Sequence, residues 1–202
     1  AWGYSAIKEK GAIDEQEYNN KVLRMLISFT MITAIGLIAI TKPFLTVYVS
    51  KDYYEAWMYV PFLLIGSVYM TFGTFFASSY TVHKDSFGYL FSAIFGASIN
   101  IILNFILIPI MGAVGAAIAT CISYIMVFVF RFFHTKKYLK YNIKNKEFVF
   151  GSLLLAGEAI ALYAESKIGI VLQWTIVLVG IVLYGRTLFS VLLAMRNKLN
   201  KK

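Results

Sequence analysis

Few side chains in this sequence could do chemistry, and their settings narrow what that chemistry is. Glu158 stands alone inside the apolar run 148–164. If that run crosses a bilayer, a rise of about 1.5 Å per residue puts the carboxyl about 15 Å deep, near the midplane. Charge there is costly, so Glu158 reads either as a protonation or cation site or as a neutral acid bonded to a neighbouring helix. Arg186, the one cation in the run that follows, falls too near the opposite end to pair with it and is expected to snorkel. Lys42, just before Pro43, could likewise snorkel or present a cation to an anionic substrate. Asn100 and Asn104, one helical turn apart, could hydrogen-bond a neighbouring helix or line a transport path.

Other chemistries lack their residues. His83-Lys84-Asp85 is a short polar turn, and His134 stands in a basic stretch. Neither has the His, Cys or acid neighbours a metal site needs, so no metal or other cofactor is expected. Cys121 is the sole cysteine, which excludes an internal disulfide. No GxxxxGK[ST], HExxH or GxSxG pattern occurs, and the outer loops are too short to assemble a catalytic cluster. The sequence reads as that of a transporter, not an enzyme.

These residues must be positioned by membrane helices. Of 202 residues, 59% are hydrophobic and 14% charged, against about 25% charged in soluble domains. Mean hydropathy is +0.71. Six stretches approach the roughly 20 residues that cross about 30 Å of hydrocarbon: Met25–Val49, Ala56–Val82, Phe87–Ile110, Gly112–Phe130, Phe148–Ala164 and Ile168–Met195. The first is expected to break at Pro43. Tight turns are expected at Pro109–Met111 and Glu165–Lys167. Backbone polar groups in lipid must bond within the segment, so all six are expected to be α-helices.

The net charge of +9 is read here as a topology signal, not as a nucleic-acid footprint. Six crossings put both ends of the chain on one side. That side holds 15 of the 19 Lys and Arg residues, Arg131 among them, and the other side holds Lys42, Lys51 and Lys167. The asymmetry marks the first side as cytoplasmic. Tyr53, Tyr54, Trp57 and Tyr59 then sit at the outer interface, where aromatic rings anchor helices.

Small and polar residues mark the faces that meet protein, since lipid gives helices no hydrophobic reason to associate. Gly88, Ser92, Gly96, Asn100 and Asn104 recur every fourth residue and form one ridge. Gly112, Ala116 and Thr120 form a second small row, with Gly115 and Ala119 a third, suited to close helix packing. Gly66 and Gly73 repeat the pattern more weakly.

Three stretches resemble a known family. Asn100–Tyr124, NIILNFILIPIMGAVGAAIATCISY, is similar to the signature N-x-x-L-N-x-x-L-I-P-x-x-G-x-x-G-A-A-x-A-T-x-I-S-Y of flippases in the multidrug/oligosaccharidyl-lipid/polysaccharide exporter superfamily. Tyr53–Leu63 resembles the start of that family's tenth helix, and Ala1–Glu9 the end of its eighth, both in the polysaccharide-transporter branch. The resemblance implies an all-α, MATE-like fold of two six-helix lobes plus two extra helices. The chain would hold most of the second lobe and both extras, and the N-terminal half would be a partner absent from this sequence. Residues 1–24 would end a truncated helix and lead through a cytoplasmic linker. Residues 25–130 would be the four-helix part of the lobe, 131–147 a basic cytoplasmic loop, and 148–202 two peripheral helices and a basic tail.

The implied activity is translocation of undecaprenyl-pyrophosphate-linked oligosaccharides across a bacterial cytoplasmic membrane, by ion-driven alternating access. Membrane lipids and polysaccharide polymerase machinery are the implied further partners, in capsule, O-antigen or exopolysaccharide synthesis. The family supplies no strict motif for site residues. Two alternatives stay open: a multidrug or cation antiporter of the same superfamily, using Glu158, and a six-helix structural subunit.

Overall fold

The computed structural model describes residues 12–138, 145–164 and 166–199. Among them there is no strand. Helix α1 is Ala12–Tyr48, followed by a 3-10 helix at Lys51–Met58. Then come α2, Val60–Val82; α3, Ser86–Thr135; α4, Asn145–Tyr163; and α5, Lys167–Leu199. Four stretches are long and apolar enough to cross a membrane: Asn19–Tyr48, Val60–Val82, Ser86–Thr135 and Lys167–Ser190. The chain is an all-α membrane protein. Helix α4, which carries Lys146, Glu147 and Glu158, stands outside that group.

A straight helix of 50 residues would run about 75 Å, more than twice a bilayer core. Helix α3 does not, because it reverses at Gly112, whose φ of 57° and ψ of −133° interrupt the helix. Only glycine takes that conformation without strain. A first arm, 86–111, therefore lies antiparallel to a second, 113–135. Arg131 bonds Ser92, Asn100 bonds Ser123, and the Phe95 and Phe130 rings lie 5.2 Å apart.

Two expected breaks are absent. The turn expected at Pro109–Met111 comes at Gly112, and Pro109 is held inside the first arm. Helix α1 continues through Pro43 to Tyr48. Proline forfeits one backbone bond, and the exposed Pro43 ring does so at the periphery of the helix bundle. Ala56–Met58, expected in the second span, belong to the 3-10 helix. The expected helix end at residues 1–9 lies outside the described residues, as does Glu165 of the expected turn.

Hydroxyls inside the helices are satisfied locally. Ser28, Thr41, Thr71, Thr120, Thr135 and Ser152 each donate to the carbonyl four residues earlier. This removes the cost of carrying a polar group into hydrocarbon.

Helix α1 is central. Its stripe Leu23, Ile27, Met31, Ile35 and Ile38 is buried against α2, α4 and α5. An aromatic stack joins α2 to its neighbours: Phe72 and Phe76 meet Phe128 of α3, and Phe72 and Phe128 meet Phe148 of α4. At one end Arg24 grips Glu147 through Nη2 (2.8 Å) and Nε (3.2 Å), while Tyr184 donates to the Glu147 carbonyl. At the other end Lys42 Nζ donates to the Leu162 carbonyl (2.9 Å) and sits 3.7 Å over the Trp57 ring. The outer surfaces of α3 and α5 expose Ile101, Phe105, Ile110, Val171, Leu178 and Val182, as lipid-facing helices do.

Candidate functional site: a polar cavity beside the α3 hairpin

The ridge read from the sequence faces protein. Gly88, Ser92 and Gly96 are buried, and Asn100 and Asn104 are half-buried. Asn104 Nδ2 donates to Asn100 Oδ1 (2.9 Å), and Asn100 Nδ2 donates across the hairpin to Ser123 Oγ (3.3 Å). Thr120 Oγ1 lies at 3.5 Å from the same nitrogen. Asn104 Oδ1 is buried and accepts from no described group.

Small residues permit this approach. A Cβ on Gly96 would strike the Val127 side chain, and one on Gly115 would strike the Leu107 backbone carbonyl. Ala119 is fully buried, and Ala116 is half-buried beside it. Gly112 differs from the packing role expected of it. It is exposed, and a Cβ there would meet nothing within 4 Å. Its job is the reversal.

Between the two arms and α2 lies a cavity of about 410 Å³, lined by Met70, Tyr89, Asn100, Ser123, Tyr124 and Arg131, among others. Arg131 was expected in a cytoplasmic loop. It lies instead within the second arm and is 4% exposed. Its Nε donates to Ser92 Oγ (3.0 Å), and its Nη1 donates to the Gly73 carbonyl (3.3 Å). The guanidinium lies 5.4 Å from the Tyr89 ring centre. Among the described residues no carboxylate pairs with it. Sequence reading missed this residue, although Thr120, Tyr124, Val127 and Arg131, spaced 4-3-4, form one helical stripe.

The remaining site candidates fall elsewhere. Lys42 is engaged at the opposite end by Leu162 and Trp57. Glu158 is fully buried between α4 and α5, and both its oxygens are unpartnered. Gln173 of α5, missed from the sequence, faces it with an unpartnered Nε2. Arg186 is exposed, as snorkelling requires. Among the described residues no group of three His, Cys, Asp or Glu side chains could hold a metal.

Both histidines meet at the turn between α2 and α3. His134 Nδ1 and Tyr80 Oη are 2.9 Å apart, and the His83 ring stacks on Tyr138 at 4.4 Å. Asp85 caps α3 by accepting from the Gly88 N–H (2.8 Å), and it also accepts from Tyr138 Oη (2.5 Å) and Lys137 Nζ (3.2 Å). The Tyr138 bond, then the Gly88 bond, hold the Asp85 carboxyl at about 2, below its ordinary 3.8. A depressed value means the contact stabilises the fold above about pH 4 and is lost as pH falls through about 2. Amide exchange at the 83–86 turn should therefore accelerate between pH 4 and pH 2, after correction for intrinsic rates. Asp85→Asn should abolish that step, and an unchanged step in the variant would remove Asp85 as its cause.

Comparison with known proteins adds little beyond membrane character. An uncharacterized membrane protein of Methanocaldococcus jannaschii is 39% identical over 54 residues, which is 27% of this chain and 11% of that protein. The match thus spans about a tenth of the relative's length. No family model matches the chain, and no solved structure matches it.

Proposed function

We propose that this chain forms part of a flippase that moves lipid-linked oligosaccharides across a bacterial cytoplasmic membrane. On this reading the chain crosses six times, α3 contributing two crossings, with both ends cytoplasmic. The N-terminal half of the same transporter faces the α3 hairpin, and the polymerase that uses the product works alongside it. The observation that carries the reading is the set of polar residues Asn100, Ser123 and Arg131, with Asn104 bonded to Asn100. It lies along a cavity in a hairpin whose outer surface is apolar, which suits a cargo with a polar head and a lipid tail.

The test uses the full-length transporter in proteoliposomes with a fluorescent polyprenyl-pyrophosphate oligosaccharide. Asn100→Ala/Asn104→Ala should slow flipping about tenfold, equivalent to about 1.4 kcal/mol of barrier, at unchanged membrane content. An unchanged rate would sink the site assignment. A wild-type protein that does not move this lipid would sink the function. The buried, unpartnered Glu158 favours a second reading, a proton-coupled drug or cation antiporter. That reading requires Glu158→Gln to abolish drug efflux.

A further inference from the structure

We infer that an apolar groove at the end of the α3 hairpin holds an acyl chain of an anionic phospholipid whose headgroup meets Lys136. This site lies on a different face of the second arm from the polar cavity, and it does not depend on the flippase reading.

The groove measures about 490 Å³ and is lined by Phe95 of the first arm and by Met126, Val129, Phe130, Phe133 and His134 of the second. Met126, Val129, Phe130 and Phe133 keep the i, i+3, i+4, i+7 spacing of one helix face. Rings form its floor: Phe130 lies 5.2 Å from Phe95 and stacks on His134 at 5.5 Å. The His134 nitrogens are already turned to Tyr80 Oη (2.9 Å) and Lys137 Nζ (3.4 Å). The wall therefore strands no polar group when hydrocarbon fills it. From His134 to Met126 the groove runs about 12 Å along the helix.

A further membrane helix is a poor occupant. Helices that associate in lipid approach through small residues, and this wall is Phe, Met and Val. Its length is also less than half of the roughly 30 Å that a crossing helix spans. A flexible acyl chain can follow so short and uneven a surface. Charge then selects the headgroup. Lys136 Nζ stands 4.5 Å from the Phe133 ring centre, which puts a cation at the mouth of the groove. Lys136 is exposed, and among the described residues no carboxylate pairs with it. Lys137, Lys140, Lys144 and Lys146 follow with no acid between them. A lysine cluster directly after a membrane helix, on the side that the charge asymmetry marks as cytoplasmic, attracts anionic lipid. Topology alone asks for cations at a helix end, but not for an apolar groove beside them.

The experiment titrates the purified, delipidated full-length protein with phosphatidylglycerol and with phosphatidylcholine of the same acyl chains, and counts bound lipid by native mass spectrometry. The wild type should bind phosphatidylglycerol at least tenfold more tightly. Lys136→Gln should cut that preference about fivefold. Met126→Trp should weaken binding of both lipids by filling the groove. Both positions are exposed, so both variants should fold. Glycerol phosphate, a headgroup without its chains, should not compete, and displacement by it would overturn the lipid assignment. A benzophenone side chain placed at Met126 should cross-link to phospholipid in phosphatidylglycerol vesicles. A cross-link to another protein segment or to a second copy would give the groove to protein and overturn the proposal. Equal affinity for the two lipids, or binding unmoved by both variants, would overturn it as well.

Discussion

Gly115→Ala should unfold the α3 hairpin more readily than any other single methyl added along its seam. The new Cβ would meet the Leu107 carbonyl oxygen and carbon, which belong to the opposite arm's backbone. A side chain in the way can change rotamer, whereas a helical backbone moves only if the arms separate. Separation lengthens the Asn100 bonds to Ser123 and Thr120, already 3.3 and 3.5 Å, beyond use. Overpacking of this kind costs about 3 kcal/mol, and the lost interhelical bonds add to it. Gly96→Ala is the control. Its Cβ meets the end of the Val127 side chain, which can turn away, so its cost should stay near 1 kcal/mol. Denaturant titration in detergent measures both. Equal losses would mean that backbone approach at Gly115 does not hold the arms together.

The small residues that give this result were readable because spacing in a membrane helix carries the packing signal. Helices α2 and α3 are apolar all round, so hydrophobicity does not distinguish the face on protein from the face on lipid. The Gly88-to-Asn104 ridge does: Gly88, Ser92 and Gly96 are buried, and Asn100 and Asn104 are half-buried. Turns were less legible. The reversal is expected at Pro109–Met111, yet Pro109 fits inside the first arm. Gly112 makes the turn because its φ is closed to other residues. Spacing marks Gly112 as a packing glycine, whereas the fold uses its conformational freedom.

Legibility of the site failed in one direction, at the helix ends. A cation after an apolar run ordinarily marks the interface, which places Arg131 in the loop. The helix continues to Thr135, and this turns Arg131 back onto Ser92 and Gly73. The Asp85–Tyr138–Lys137 contact was hidden for a different reason. It joins residues separated by the whole hairpin, which one-dimensional spacing does not relate. Gln173 shows the same limit: its relation to Glu158 exists only once α4 and α5 are packed.

That pair yields the second large effect. Gln173→Leu should destabilise the protein by about 2 kcal/mol, because it removes the polar group facing a fully buried carboxyl. Glu158→Leu should cost less, because the Gln173 amide that faces it already lacks a hydrogen-bond partner. Glu158→Leu/Gln173→Leu should then recover to wild-type stability or better, since replacing both polar partners with apolar groups strands neither. The double-mutant cycle isolates the coupling, and additive losses would show that the two side chains do not act as a pair. Activity decides what the pair is for. A stabilised double variant that still transports would make Glu158 and Gln173 a structural link between α4 and α5. A stabilised variant that no longer transports would mean that stability was given up to keep a polar pair between these helices, and the coupling ion would then be sought at Glu158 in preference to Asn100.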